Sequence, residues 1–183
     1  MVAKDGKIRV DLACGDTKKE GYIGVDIIET ASTDIVHDLN QYPWPFEDNS
    51  VDEIHCSNYI EHIPHDIHNE DGRDGLIQFM DEMYRILKPE GSARIVAPHY
   101  KHERAYGDPT HTRYIGDWSF LYWSRDWRDE GSLTHYGIKC NFDMKISYHI
   151  DNDLTLRSQD IRAEAFKKEW NAVLDIIVDF TKK

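Results

Sequence analysis

Four short β-rich runs open the chain, "KIRVDLA", "YIGVDI", "TDIVHDL" and "SVDEIHCSN", with only Cys14–Tyr22 between the first two and Ile28–Ser32 between the next two. A parallel crossover normally takes a dozen or more residues, usually including a helix. Nine extended residues reach ~30 Å, enough to return along a short strand, whereas five reach only ~17 Å. The second and third strands must therefore be short, or their connection irregular. The segment before the first run leaves no room for a helix either.

The rest of the chain sets wider bounds. Its 183 residues suit one domain, residues 1–183, with a proper core. No apolar run approaches the ~20 residues that span a bilayer, and the charged Met1–Arg9 does not read as a secretory signal. Cys14, Cys56 and Cys140 lie far apart without metal-type spacing, which points to a reducing, cytoplasmic setting. A net charge of −12 disfavours a nucleic-acid partner, which calls for clustered Lys and Arg. Over Asp74–Leu87, apolar residues Leu76, Phe79, Met80, Met83, Ile86 and Leu87 recur at helical spacing until Pro89 and Gly91. "SARIVAP" then reads as a fifth strand.

This is the pattern of an α/β sheet, whose chemistry collects at the carboxyl ends of its strands. The first strand ends in "DLACGD", the second in "GVDI" and the third in "HDLN". A carboxylate at the second strand's end, Asp26, can accept hydrogen bonds from both hydroxyls of a ribose. Asp38 can take an adenine amino proton while Leu39 packs on the ring. Asp at a strand end is also a common turn residue, so each alone is a weak signal. Their order and spacing carry more weight. "ACGDTKKEG" lacks G-x-G-x-x-G and a following helix, which disfavours NAD.

Over Ile8–His99, "VDLACGD", "GVDI", "HDLN", "PWPFEDNSVDEI", "SNYIEHIP" and "RILKPEG" resemble the class I S-adenosylmethionine-dependent methyltransferases of type 11. The resemblance implies a Rossmann-like sheet, mostly parallel, with antiparallel C-terminal edge strands. It implies S-adenosylmethionine as cofactor and S-adenosylhomocysteine as product. Asp11, Ala13, Cys14, Gly15 and Asp16 would wrap the methionine part, Asp26 would hold the ribose, Asp38 and Leu39 the adenine, and Ile27 would also belong to the cofactor site. Asn58 and Tyr59 would line the methyl-transfer side. Ala13 stands where the family usually has glycine. The three helices that usually cover one sheet face are shortened or missing here, and "IRVDLA" alternates apolar with polar residues, unlike a strand buried on both faces. We therefore expect the C-terminal segment, or a homodimer partner, to cover an exposed sheet face.

Six of the ten histidines, His62, His65, His68, His99, His102 and His111, fall at or just beyond the ends of the fourth and fifth strands. Neutral imidazoles there can act as a general base or bind a divalent ion. His62, His99 and His111 are the candidate catalytic residues. "NYIEH" is similar to the metal-binding Glu-x-x-Glu-His of ubiquinone-biosynthesis O-methyltransferases. Glu61 and His62 match it, but Asn58 replaces the first Glu, and no metal is assigned.

"DPTH" and the aromatics Tyr114, Trp118, Phe120, Tyr122 and Trp123 follow the fifth strand, where they can serve a substrate pocket, the core, or both. "FDMKISYHI" alternates as a half-buried strand, a helix capped by Ser158 runs to about Val173, and "LDIIVDF" returns to period two. "SNYI" lacks the two-proline signature of exocyclic base amine methylation. A small-molecule acceptor is the first expectation, with no membrane partner. Two alternatives remain: a non-catalytic regulatory or assembly protein that binds the cofactor, and a metal-dependent hydrolase using the histidine cluster.

Overall fold

The alternation of "RVDL" sends Val10 and Leu12 to one side of strand β1 (Arg9–Leu12) and Arg9 and Asp11 to the other. The computed structural model describes residues 5–65 and 72–183, so His68 lies outside the described residues. After β1 come β2 (Ile23–Asp26), β3 (Ile35–Val36), β4 (Val51–Ser57), α1 (Gly75–Ile86) and β5 (Leu87–Pro98). The short helices α2 (Arg104–Gly107), α3 (Asp117–Leu121) and α4 (Arg125–Glu130) lead to β6 (Phe142–Ile150). Then follow α5 (Asn152–Thr155), α6 (Gln159–Lys168) and β7 (Val173–Lys182). The strands form one sheet in the order β3-β2-β1-β4-β5-β7-β6. The first five run parallel to one another, and β7 is antiparallel to both β5 and β6.

One face is apolar and covered. Val10, Leu12, Val25, Ile54, Cys56, Ile95, Val178 and Phe180 are buried with Phe79, Met80, Met83 and Ile86 of α1. Asp74 caps α1 by accepting from the Leu76 N–H at 2.9 Å. Trp44, in the loop before β4, packs edge-on against Phe79 at 5.1 Å and donates its indole N–H to Leu39 O at 3.1 Å.

The other face is polar. Strand register aligns Gly24, Asp11, His55, Arg94, Asp179 and Lys145 in one row across six strands. Along it, His55 Nδ1 lies 2.7 Å from Asp11 Oδ1, and Arg94 grips both oxygens of Asp179 at 2.6 and 2.9 Å. In the adjacent row Arg9 lies 3.4 Å from Glu53, which also accepts from the Tyr22 hydroxyl. The expectation that the C-terminal segment lies over this face is corrected: that segment is β7, a strand inside the sheet. Rows of alternating charge can face water, as the solvated side of an antiparallel sheet does.

Among the described residues, no helix lies between β1 and β2 or between β2 and β3. Carboxylates bind the backbone of these connections instead. Asp11 accepts from Lys19 N at 2.8 Å, and Asp26 accepts from Gly15 N at 2.9 Å and Ile28 N at 3.0 Å. Asp34 accepts from Gly24 N at 2.8 Å and pairs with Lys18. The β2–β3 connection lies so close over β2 that a Cβ on Gly24 would sit 2.1 Å from Ser32 O. In the first turn, Ala13 takes φ 53°, the left-handed region that costs a side chain ~1–2 kcal/mol.

Two boundaries differ from the sequence reading. Strand β5 begins at Leu87, straight after α1, because Pro89–Gly91 form an irregularity between the Val51–Leu87 and Glu53–Ser92 pairs. Helix α6 stops at Lys168, not near Val173. Only Ala165 of it is buried, so too little apolar surface is covered to extend it.

Three stability measurements follow from this backbone. Gly24→Ala lowers stability by at least about 2 kcal/mol in denaturant unfolding, because the obstacle is backbone. Ala13→Gly raises stability by about 0.5–1 kcal/mol, the relief at positive φ outweighing the added chain entropy. Lys18 holds the Asp34 carboxyl below the ordinary carboxylate range. Its contribution is present at neutral pH and is lost as pH falls through that lowered value. Asp34→Asn therefore loses about 1–3 kcal/mol at pH 7 and progressively less in acid.

Candidate functional site

The carboxyl ends of β1, β2 and β3 converge with the start of the β4 exit loop. A cavity of about 170 Å³ there is lined by Ala13, Asp26, Ile27, His37, Asp38, Leu39, Asn40 and Tyr59. Six of these, Ala13, Asp26, Ile27, Asp38, Leu39 and Tyr59, are expected cofactor residues. Each Asp26 oxygen already accepts one backbone N–H, which fixes the carboxylate and leaves lone pairs for incoming hydroxyls. Asp38 is held by Asn40 N at 2.9 Å. Leu39 is buried, and Trp44 anchors its carbonyl from below.

Ile27 is 61% exposed, a large apolar side chain at the cavity mouth with room for a ring against it. Tyr59 packs on Phe79 at 5.7 Å, and burial pushes its phenol well above the usual value, so it stays neutral. Gly15 takes φ 57°, and a Cβ there would meet nothing within 4 Å, so the space over the first turn is open. These features fit a nucleoside carrying an amino-acid tail.

The other expected cofactor residues lie around this cavity rather than in its lining. Asp11 is buried on the polar side of the sheet, beside His55, and serves the β1–β2 connection. Cys14 is buried near Ser32 O, with Sγ 3.7 Å away, and Asp16 is exposed. Asn58, at φ 52°, belongs to a second cavity of about 520 Å³ beyond the ends of β4 and β5.

That second cavity is also lined by Glu61, His62, Pro98, Arg104, Gly107, Asp108, Pro109 and His111. The 3-10 turn Ile60–His62 carries Glu61 and His62, while His111 arrives from the loop after α2. Here two of the three candidate catalytic histidines meet, with the rings of His62 and His111 4.6 Å apart and nearly perpendicular. Burial lowers the His62 pKa and favours a neutral ring. His99 belongs to a different network, its Nε2 3.5 Å from Asp117, whose carboxylate also accepts from Tyr148.

Glu61 is the residue the sequence reading left unassigned. It is 1% exposed, neither carboxylate oxygen has a hydrogen-bond partner, and burial pushes its carboxyl up to about 7. The "EH" pair was visible in the sequence, but its union with His111 depends on the fold.

Residues 13–95 match the family described as a methyltransferase domain. Among solved structures, a SAM-dependent methyltransferase from Archaeoglobus fulgidus superposes on 97% of this chain and 87% of its own, at 20% identity and a TM-score of 0.60. An S-adenosylmethionine-dependent methyltransferase from Mesorhizobium loti covers 96% of this chain and 90% of its own, at 14% identity and a TM-score of 0.53. The Haemonchus contortus phosphoethanolamine N-methyltransferase 2, solved with phosphomonomethylethanolamine and S-adenosylhomocysteine, covers 100% of this chain and 49% of its own, at 15% identity and a TM-score of 0.53. At these identities the likeness is one of fold. None of the curated proteins matches the sequence. Residues 13–95 thus match a methyltransferase domain, and the chain shares the fold of S-adenosylmethionine-dependent methyltransferases.

Proposed function

We propose that this chain methylates a small-molecule acceptor, with the cofactor's nucleoside in the cavity at Asp26, Asp38 and Leu39 and the acceptor on the Asn58 side. One observation carries the reading: six residues assigned to the cofactor from sequence line one cavity at the carboxyl ends of the parallel strands. S-adenosylmethionine, when bound, supplies an already activated methyl group, so the protein's task is alignment and exclusion of water. Asp26 orients the ribose through two fixed oxygens. Asp38 and Leu39 fix the adenine, and Tyr59 and Ile27 close the cavity with apolar surface.

The neighbouring cavity supports an acceptor of modest size. It is bounded by Asn58 and Pro98, and its walls bring both imidazole and carboxylate groups. The chain's acidic balance favours a small or cationic acceptor over a polyanion. The matched domain offers no support for the metal-dependent hydrolase or the non-catalytic alternative.

Calorimetric titration with S-adenosylmethionine and S-adenosylhomocysteine tests the site. We expect saturable binding of both by the wild type, weakened about 10–100-fold in Asp26→Asn, the loss expected when charged hydrogen bonds of ~1.5–3 kcal/mol are replaced by neutral ones. Absence of binding by the folded wild type would overturn the cofactor assignment. A mass-spectrometric screen of small hydroxyl and amine acceptors then tests the acceptor class. Turnover found only on protein or nucleic acid would replace it.

A further inference from the structure

We infer that Glu61, His62 and His111 form a binding site for a divalent first-row transition-metal ion. One ligand atom from each of the three lies within 4.8 Å of the others. Two imidazoles and one carboxylate are a donor set suited to Zn²⁺, Fe²⁺ or Co²⁺, and small side-chain rotations bring them to bond lengths of ~2.0–2.2 Å.

The surrounding hydrogen bonds prepare each ligand. The Ala105 carbonyl can only accept, so His111 donates Nδ1–H to it, at 3.0 Å, and presents a lone pair on Nε2. Thr110 donates its hydroxyl proton to Asp108 at 2.6 Å and therefore accepts Nδ1–H from His62 at 3.0 Å. His62 thus also presents an Nε2 lone pair. A carbonyl partner such as that of His111 is typical of metal-ligating histidines, and the Thr110 hydroxyl fixes the His62 tautomer to the same effect.

Glu61 is the third arm and the clearest sign. A carboxylate sealed from water with both oxygens unpartnered is costly to keep. Arg104, the arginine in the cavity lining, is engaged with Asp175 at 2.9 Å. A metal ion supplies the missing partner.

The site differs from the Glu-x-x-Glu-His pattern noted in the sequence. Asn58 brings no carboxylate, and the third ligand comes from a separate segment after β5. Remaining coordination positions face the cavity bounded by Asn58, Pro98 and Pro109, where an oxygen-bearing ligand can complete the shell. Metal binding here stands independently of the acceptor assignment, because it is read without turnover.

The test uses the full chain without a polyhistidine tag, stripped with chelator and titrated with Co²⁺ while visible d–d absorption is recorded. We expect one equivalent bound with a saturable tetrahedral or five-coordinate spectrum, and displacement by Zn²⁺. Glu61→Gln and His111→Ala, shown to be folded by circular dichroism, should weaken binding by at least ~100-fold, more than an outer-shell partner is worth. Thr110→Val, which leaves all three ligands in place, should weaken it about 10-fold. His135→Ala, outside the site, should match the wild type. If the wild type gives no saturable signal, or if Glu61→Gln, His111→Ala and Thr110→Val all bind as it does, the inference is overturned. Should His111→Ala fail to fold, Thr110→Val and Glu61→Gln decide the matter on the same criterion.

Discussion

Carboxylates that accept backbone N–H bonds hold together the part of this sheet that has no helices to hold it. A parallel sheet usually gains its cover from its own connections, since each return to the next strand lays a helix on one face. Here Asp11, Asp26 and Asp34 take over that task for the first two returns. Each ties a loop to a strand through a short, charge-assisted bond, which is stronger than a neutral one. The uncovered face is then free to be polar, and the rows from Arg9 to Asp143 and from Asp11 to Lys145 exploit that freedom.

The same economy shapes the cavity at the ends of β1, β2 and β3. Asp26 ties down the first turn and also lines the cavity, so under the proposed cofactor assignment loop conformation and ligand recognition would share one carboxylate. Ala13, in the lining of this cavity, and Asn58, in the lining of the neighbouring one, both sit at positive φ. Strain retained beside a ligand site is tolerated where the surroundings over-determine it, and here β1, β4 and their connections do so.

Much of this was legible in the sequence because the signals were local. Alternation marked β1, β6 and β7, helical spacing marked α1, and the intervals between strand ends placed Asp26, Asp38 and Leu39. What escaped was information that only register and long-range packing carry. Nothing near Asp11 announces that it faces His55 of β4, three strands further along the sequence. The pairing of His62 with His111 depends on the loop after α2 folding back over the end of β4. The isolation of His99 in the Asp117–Tyr148 network depends on where α3 begins. The grip of Trp44 on the Leu39 carbonyl is likewise a matter of loop geometry.

The place of β7 between β5 and β6 has a consequence for how the chain matures. Lys182, near the end of that strand, sends its ammonium to Tyr84 O at 2.6 Å and Leu87 O at 2.7 Å, closing the carboxyl end of α1. Its pairing residues were made nearly a hundred residues earlier. During synthesis, β5 must therefore wait as an open edge, with α1 uncapped, until residue 182 has cleared the ribosome. Such an edge is a template for pairing with the wrong strand, and contacts of this sequence separation form slowly. The nascent chain is thus most exposed to misassembly in the interval between completion of β5 and arrival of β7, when chaperone protection would matter most.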